Sequence, residues 1–373
     1  MKITDLLVTL HEREPLRDTY PVPVQAGGGL LRLQPFAVMT IETDEGVQGH
    51  AFLGSSVGVS ETLLSQVVKL IKPGLIGRNP LDIGAIWQSL WKRNRTLETQ
   101  AIGAIDVALW DIAGKVANLP IHRLLGTCRD RVPVYASSWL LPRHEDYVEE
   151  ALYYRDLGWK AYKIHPRFIA KDDIKLCAAV RQAVGDEMDL MLDAAWSYSY
   201  EEALRVGMVI EDLSYFWYED PLAETDLYGY VKLRQKLNVP ILATEYLPGS
   251  MYAYAEWIRQ QATDMLRGDV ALKGGITPLV KIAHLAEAFH MKCELHDAFN
   301  SLNNVAGLHV AMAIPNCEYF EMLLPFELHE YGLLEPLSAQ VDKEGYLPAP
   351  TGPGLGCAID WERLNRNKVG EMR

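Results

Sequence analysis

The sequence predicts an α/β fold: a barrel of seven to eight parallel strands with helices outside, joined to an α+β capping domain at its N-terminus. Three observations predict it. From Val132 onward, strand-like and helix-like stretches alternate almost to the end of the chain. Polar residues close successive strands at intervals of about one strand–helix repeat. No GxGxxG or GxxxxGKS/T run follows any strand, which counts against an open nucleotide-binding sheet.

The 373 residues fit two domains, and 49% apolar with 23% charged residues is the composition of a globular protein with a sizeable core. Lysine and arginine number 36 against 49 aspartate and glutamate, a net charge of −13. Such a chain gains nothing from a phosphate backbone, so no nucleic-acid partner is expected. No basic run is present to hold an anionic membrane. The five cysteines, Cys128, Cys177, Cys293, Cys317 and Cys357, form no CxxC and read as free thiols in a reducing compartment. "MKITDLLVTL" lacks the apolar block of a signal peptide, and no stretch of about 18 apolar residues exists. A soluble, cytoplasmic protein is expected.

Residues 1–126 read as the α+β capping domain. "KITDLLVTL" and "PFAVMTIETDEGVQGHAFL" alternate like strands, with "TDEG" as a hairpin turn. "YPVPVQAGGGLLRLQ" between them is a Pro/Gly-rich loop, and the pattern from Ser60 to Gly126 is helical. Residues 127–330 read as the barrel. Its strands are "VPVYASS", "WKAYKIHP", "DLMLDAAW", "YFWYEDP", "PILATEY", "MLRGDVAL", "KCELHD" and "CEYFEML". Helical segments such as "HEDYVEEALYYRDLG" and "KDDIKLCAAVRQAVG" separate them, each of these two closed by glycine. Eight such units point to a TIM-type barrel. Residues 331–373, rich in Gly and Pro, are expected to pack back on the capping domain.

Chemistry in such barrels sits where strands end. The strand ends here carry Lys163 with His165, then Asp193, Glu219, Glu245, Asp269, His296 and Glu321. Asp193 to Glu219 and Glu219 to Glu245 are each 26 residues, Asp269 to His296 is 27, and His296 to Glu321 is 25. One strand–helix repeat is about that long, so these residues recur at one height. Asp193, Glu219 and Glu245 cannot all ionise at close range without a cation. Oxygen-only ligands select a hard one, and Mg²⁺ is expected because it leaves positions for water or substrate. Asp269 and His296 on neighbouring strands form a dyad in which the acid fixes the tautomer and raises the basicity of the imidazole. In "YKIHP", Lys163 and His165 share a face by strand alternation, across the barrel mouth from His296.

These residues resemble the enolase superfamily, specifically its mandelate racemase-like subgroup. "AIGAIDVALWDIAGKVANLPIHRLLG" is similar to the subgroup's helix before the barrel, and "PTGPGLG" to its closing segment. The resemblance implies a small-molecule carboxylate substrate bound to Mg²⁺, removal of the α-proton by a base, and an enediolate stabilised by nearby cations. It implies Asp193, Glu219 and Glu245 as metal ligands and Lys163 beside the carboxylate. His165 and His296 serve opposite faces, Asp269 orients His296, and Glu321 hydrogen-bonds a carboxylate oxygen. It also implies a homo-oligomer. The chain departs from the pattern at His165, where many members carry lysine, and at Ala195, where many carry asparagine. Leu272 stands where some members have a cation, with Lys273 following.

Two opposed bases allow several outcomes. Dehydration of a sugar acid is the commonest in the subgroup. Cycloisomerisation, and epimerisation or racemisation of a lactone or hydroxy acid, are the alternatives, and a non-catalytic carboxylate binder is the remaining class. Substrate choice is expected from the capping loops, with Tyr20, Gln25 and Arg32 around "QAGGGLLR" and His50 near "HAFLGSS" as candidates. The loop carries few charges, which suits a mono-acid sugar or lactone-like ring.

Overall fold

The computed structural model describes residues 1–13, 35–55 and 58–373, and between them the backbone of two short strands. The chain opens with β1 (Ile3–His11), β2 (Gln25–Ala26), β3 (Gly29–Leu30), β4 (Phe36–Thr43) and β5 (Gln48–Leu53). β1, β4 and β5 form an antiparallel sheet, and β2 pairs with β3. In the β4–β5 turn Gly46 sits at φ +77°, the left-handed conformation that a tight hairpin demands.

The helix Thr99–Ala117 joins the capping sheet to the barrel. It is buried along most of its length because small residues let backbones approach on several sides. Asp106 accepts from the Thr277 amide at 2.9 Å, at the start of the helix Ile276–Ala288. Asp111 accepts from the His50 and Leu355 amides at 3.0 Å each, tying β5 and the tail to one side chain. A Cβ on Gly103 would lie 2.9 Å from the Val270 carbonyl.

Eight parallel strands follow: β6 (Arg131–Ser137), β7 (Ala161–Ile164), β8 (Asp189–Asp193), β9 (Trp217–Glu219), β10 (Ile241–Ala243), β11 (Met265–Gly268), β12 (Lys292–Leu295) and β13 (Phe320–Leu323). Ladders run β12-β11-β10-β9-β8-β7-β6-β13, a nearly closed barrel whose seam lies between β12 and β13. Side chains bridge that seam. Glu294 accepts from the Glu318 and Tyr319 amides at 2.9 and 3.2 Å, and Asn316 donates to the Met291 carbonyl at 3.1 Å. Beyond the barrel, β14 (Tyr346–Pro348) pairs antiparallel with β6. The tail ends in β15 (Lys368–Met372), which pairs antiparallel with β1 and becomes the edge of the capping sheet.

The barrel interior is layered. Tyr135, Ala161, Met191, Trp217, Leu242 and Met265 form an apolar plug, one residue from each of six strands. Two residues farther along, the same inward face carries Lys163, Asp193, Glu219 and Arg267. Outward residues face the helices, as Tyr162 does in donating to Glu150 at 2.9 Å.

Two elements differ from the sequence expectation. "MLRGDVAL" is strand only to Gly268, because Asp269 caps a short helix, Val270–Lys273, by accepting from the Leu272 amide at 3.0 Å. "MYAYAEWIRQQA" breaks into a tight turn, Ser250–Tyr252, and a helix, Tyr254–Arg259. All five cysteines are free, and among the described residues no helix is long and apolar enough to cross a membrane.

Candidate active site

Asp193 and Glu219 are the last residues of β8 and β9, and Glu245 lies two residues beyond β10. Each offers an oxygen within 4.8 Å of the others, the one group of three such ligands among the described residues. The backbone turns left-handed beside all three. Ala195 and Asp220 both sit at φ +42° and Thr244 at +89°, conformations that cost non-glycine residues free energy and collect at functional sites.

Two buried cations form the floor. Lys163 Nζ lies 3.4 Å from Asp193, 3.0 Å from Glu219 and 2.8 Å from Glu321. Arg267 Nε lies 2.6 Å from Glu219 and 3.1 Å from Glu245, and its terminal nitrogen pairs with Glu321. Four carboxylates thus face two permanently charged cations, more acid than Lys163 and Arg267 alone can offset, and a divalent cation would offset the rest. Glu219 Oε1, close to Arg267 but not aligned with it as a hydrogen bond, is buried without a hydrogen-bond partner among the described residues. Burial pushes Glu219 up, Arg267 opposes it and Asp193 adds to it, leaving a pKa of about 7. An all-oxygen donor set with an open lone pair and more carboxylates than neighbouring fixed cations fits Mg²⁺.

Two imidazoles stand at opposite ends of this cluster. His296 follows β12, and its Nδ1 bonds Asp269 at 2.8 Å while Nε2 lies 3.3 Å from Glu245. Asp269 is fixed in turn, since its other oxygen caps the Val270–Lys273 helix. Burial pulls His296 down, but the Glu245 and Asp269 carboxylates outweigh it and lift its pKa to about 9. His165 follows β7. Its Nδ1 donates to the Ser138 carbonyl at 2.7 Å, and its Nε2 lies 2.9 Å from Asp193. Burial lowers its pKa and Asp193 raises it by more, so the net shift is upward.

Glu321 sits deeper than the sequence implies. It is 1% exposed, and Lys163 and Arg267 overcome the burial that would raise its pKa and hold it well below the usual carboxylate range. One of its oxygens faces Lys163 and the other Arg267, so it anchors both cations of the floor. Lys163 is likewise fully buried beneath the carboxylates rather than at the mouth. Arg267 was not among the expected site residues. The signal was available: it lies one strand period before Asp269, on the same inward face. Lys273 lies on the short helix, not a strand, and donates to the Leu247 carbonyl at 3.0 Å.

A cavity of about 620 Å³ opens above the carboxylates. His165, Asp193, Glu245 and His296 line it with the aromatics Trp139, Phe168, Trp196, Tyr246 and Phe299. His50 is not among its lining residues. Its ring bonds Thr40 at 3.2 Å and meets Trp361 edge-on, so its contacts among the described residues lie within the capping domain. Tyr20 and Arg32 lie outside the described residues, and of Gln25 only the backbone is described.

Residues 9–126 match the family described as mandelate racemase / muconate lactonizing enzyme, N-terminal domain, and residues 146–363 match enolase C-terminal domain-like. The chain belongs to the enolase superfamily. Within this superfamily it is a mandelate racemase-like enzyme. It is similar to arabinonate dehydratase of Saccharolobus solfataricus, 31% identical over 338 residues that cover 86% of this chain and 87% of that protein. It is also similar to D-galactarolactone cycloisomerase of Agrobacterium fabrum, 30% identical and covering 100% and 99% of the two chains. The solved structure of D-glucarate dehydratase from Agrobacterium tumefaciens, complexed with magnesium, matches with a TM-score of 0.87 at 34% identity, over 99% of this chain and 100% of that one. Enolase-superfamily enzymes bind Mg²⁺, and the Asp193, Glu219 and Glu245 triad offers a site for a metal.

Proposed function

We propose that this enzyme dehydrates a sugar acid, using Mg²⁺ held by Asp193, Glu219 and Glu245. The observation that carries the reading is the pair of imidazoles at opposite ends of one carboxylate cluster, inside one cavity. Each has Nδ1 committed to an acceptor, so Nε2 is the atom that takes or gives a proton. The cation supplies positive charge for the substrate carboxylate and for the charge that builds up on it as the α-proton leaves. One imidazole takes that proton from carbon. The other gives a proton to the hydroxyl on the neighbouring carbon, which departs as water. The enol left behind tautomerises to a 2-keto-3-deoxy acid.

Lys163 and Arg267 keep the floor of the site balanced while charge moves above it. Asp269 engages Nδ1 of His296 and so leaves proton exchange to Nε2. Apolar walls exclude bulk water and strengthen each of these interactions.

The full-length match to a lactone cycloisomerase favours a second reading, in which a ring oxygen rather than a hydroxyl leaves. Product mass separates the two. With Mg²⁺ and a panel of aldonic acids, aldaric acids and their lactones, dehydration yields a product lighter by one water. A product of unchanged mass assigns the enzyme to isomerisation instead.

A further inference from the structure

Two residues of the cavity wall each carry a polar atom that has no work in the mechanism above. Trp139 extends the inward face of β6, two residues past Ser137. His329 ends the short helix Phe326–His329 that follows β13, the neighbour of β6 in the barrel. Both line the cavity. Their rings lie 5.9 Å apart between centroids, tilted by 43°. Among the described residues, Trp139 Nε1 and His329 Nε2 are buried without a hydrogen-bond partner, although His329 is only 2% exposed. Buried polar atoms left unpaired are destabilising, so a ligand or a bound group is the expected partner.

The chemistry of the two atoms restricts that partner. His329 Nδ1 faces the Ala298 carbonyl at 3.2 Å, an acceptor, so Nδ1 carries the hydrogen and Nε2 presents a lone pair. Burial keeps the ring neutral by lowering its pKa to about 3. Trp139 Nε1 is a donor only. The pair therefore offers one donor and one acceptor. A carboxylate or phosphate oxygen satisfies the indole but meets the imidazole lone pair with its own. An ammonium satisfies the imidazole but not the indole. A hydroxyl suits both, accepting from the indole and donating to the imidazole.

We propose that Trp139 and His329 form a hydroxyl-recognition subsite that reads a substrate hydroxyl remote from the carboxylate, and so selects mono-acid sugars over diacids. β6 and β13 stand across the barrel from β9, where the central metal ligand lies, so the subsite meets the end of the substrate opposite its carboxylate. The proposal rests on the sugar-acid reading for the chemical class of the ligand, not for the outcome of the reaction.

The test is calorimetric binding to the Mg²⁺-loaded protein. The probes are a panel of four- to six-carbon aldonates, each paired with its terminal-deoxy analogue and its aldarate. The wild-type protein should bind at least one aldonate at least about ten-fold more tightly than its deoxy partner and its diacid. Trp139→Phe and His329→Phe should each abolish that preference while leaving the affinity for the deoxy acid within about two-fold. His329→Gln, which restores an acceptor, should recover part of it. A wild-type protein that binds aldonate, deoxy acid and aldarate equally, or none of them, overturns the proposal. So do variants that shift only the melting temperature, which would mean that the two rings serve packing or pair with each other. Hydrogen–deuterium exchange at the α-carbon, followed on the same variants, keeps the two readings apart. Exchange that persists while the preference is lost supports the subsite, and preference without exchange in the wild type leaves the subsite standing but sinks the dehydratase reading.

Discussion

Asp269 spends one oxygen on the amides of a short helix and the other on His296, so the acid that orients the imidazole is itself held in place by a helix cap. That makes His296 the residue with the most sharply defined task. His296→Asn keeps a donor toward Asp269 but has no Nε2. Turnover should fall about 10²- to 10⁴-fold, the usual worth of a general acid or base, while calorimetry still shows Mg²⁺ binding, because all three carboxylate ligands remain. Arg267 is the second informative residue. It pairs with three carboxylates in a fully buried setting. Arg267→Met strands those charges and should lower metal-free stability by about 3–5 kcal/mol. Thermal unfolding with and without Mg²⁺ should then show a larger metal-induced gain than in the wild type. Equal melting temperatures for the metal-free variant and wild type would mean that the guanidinium is not needed for charge balance. The strand-end residues were legible in the sequence because one repeat of about 26 residues returns them to one height. Arg267 was not, because attention to strand ends passes over the layer one period earlier. Trp139 and His329 were not, because only the pairing of β6 with β13 brings a loop residue and the end of a short helix together.

At the scale of elements, the helix Thr99–Ala117 carries the organisation. Its Asp106 is fully buried and bonded through one oxygen to the Thr277 amide, while the other oxygen has no partner among the described residues. Burial lifts its pKa to about 7, only partly offset by Thr277. The unfolded chain releases this proton near the ordinary carboxylate value, and the folded chain holds it to about pH 7. Between those limits the unfolded state binds fewer protons, so this group's contribution falls as pH rises. The cost saturates above pH 7, at about 4 kcal/mol. Urea unfolding of wild type and Asp106→Asn from pH 4 to pH 8 should show the wild type losing stability relative to the variant across that window. A constant difference would place the Asp106 pKa in the ordinary range. The run "AIGAIDVALWDIAGKVANLPIHRLLG" was recognisable as a helix, but its reason is three-dimensional. Asp106 reaches a barrel helix and Asp111 reaches β5 and the tail, partners far away in the chain. Strand limits were legible only roughly. Short barrel strands end where a cap or a left-handed residue takes over, and the extended-looking "DVAL" coils because Asp269 caps it.

At the scale of the molecule, the strand–helix alternation after Val132 was enough to read the barrel, because its period is long and repeated. The seam was not legible, since Glu294 and Asn316 close it with side chains rather than with a ladder. Tyr20 and Arg32 of the capping loops lie outside the described residues, and the barrel side of the cavity contributes Trp139 and His329. The central claim is that this molecule removes a proton from the carbon next to a carboxylate, with a cation and two imidazoles acting together. The most direct measurement is nuclear magnetic resonance of a sugar-acid panel in deuterated water with Mg²⁺. The account predicts deuterium at the α-carbon, or at the carbon protonated in a keto-acid product, for at least one acid, and its loss on adding a chelator. Metal binding with no exchange in any acid would contradict it.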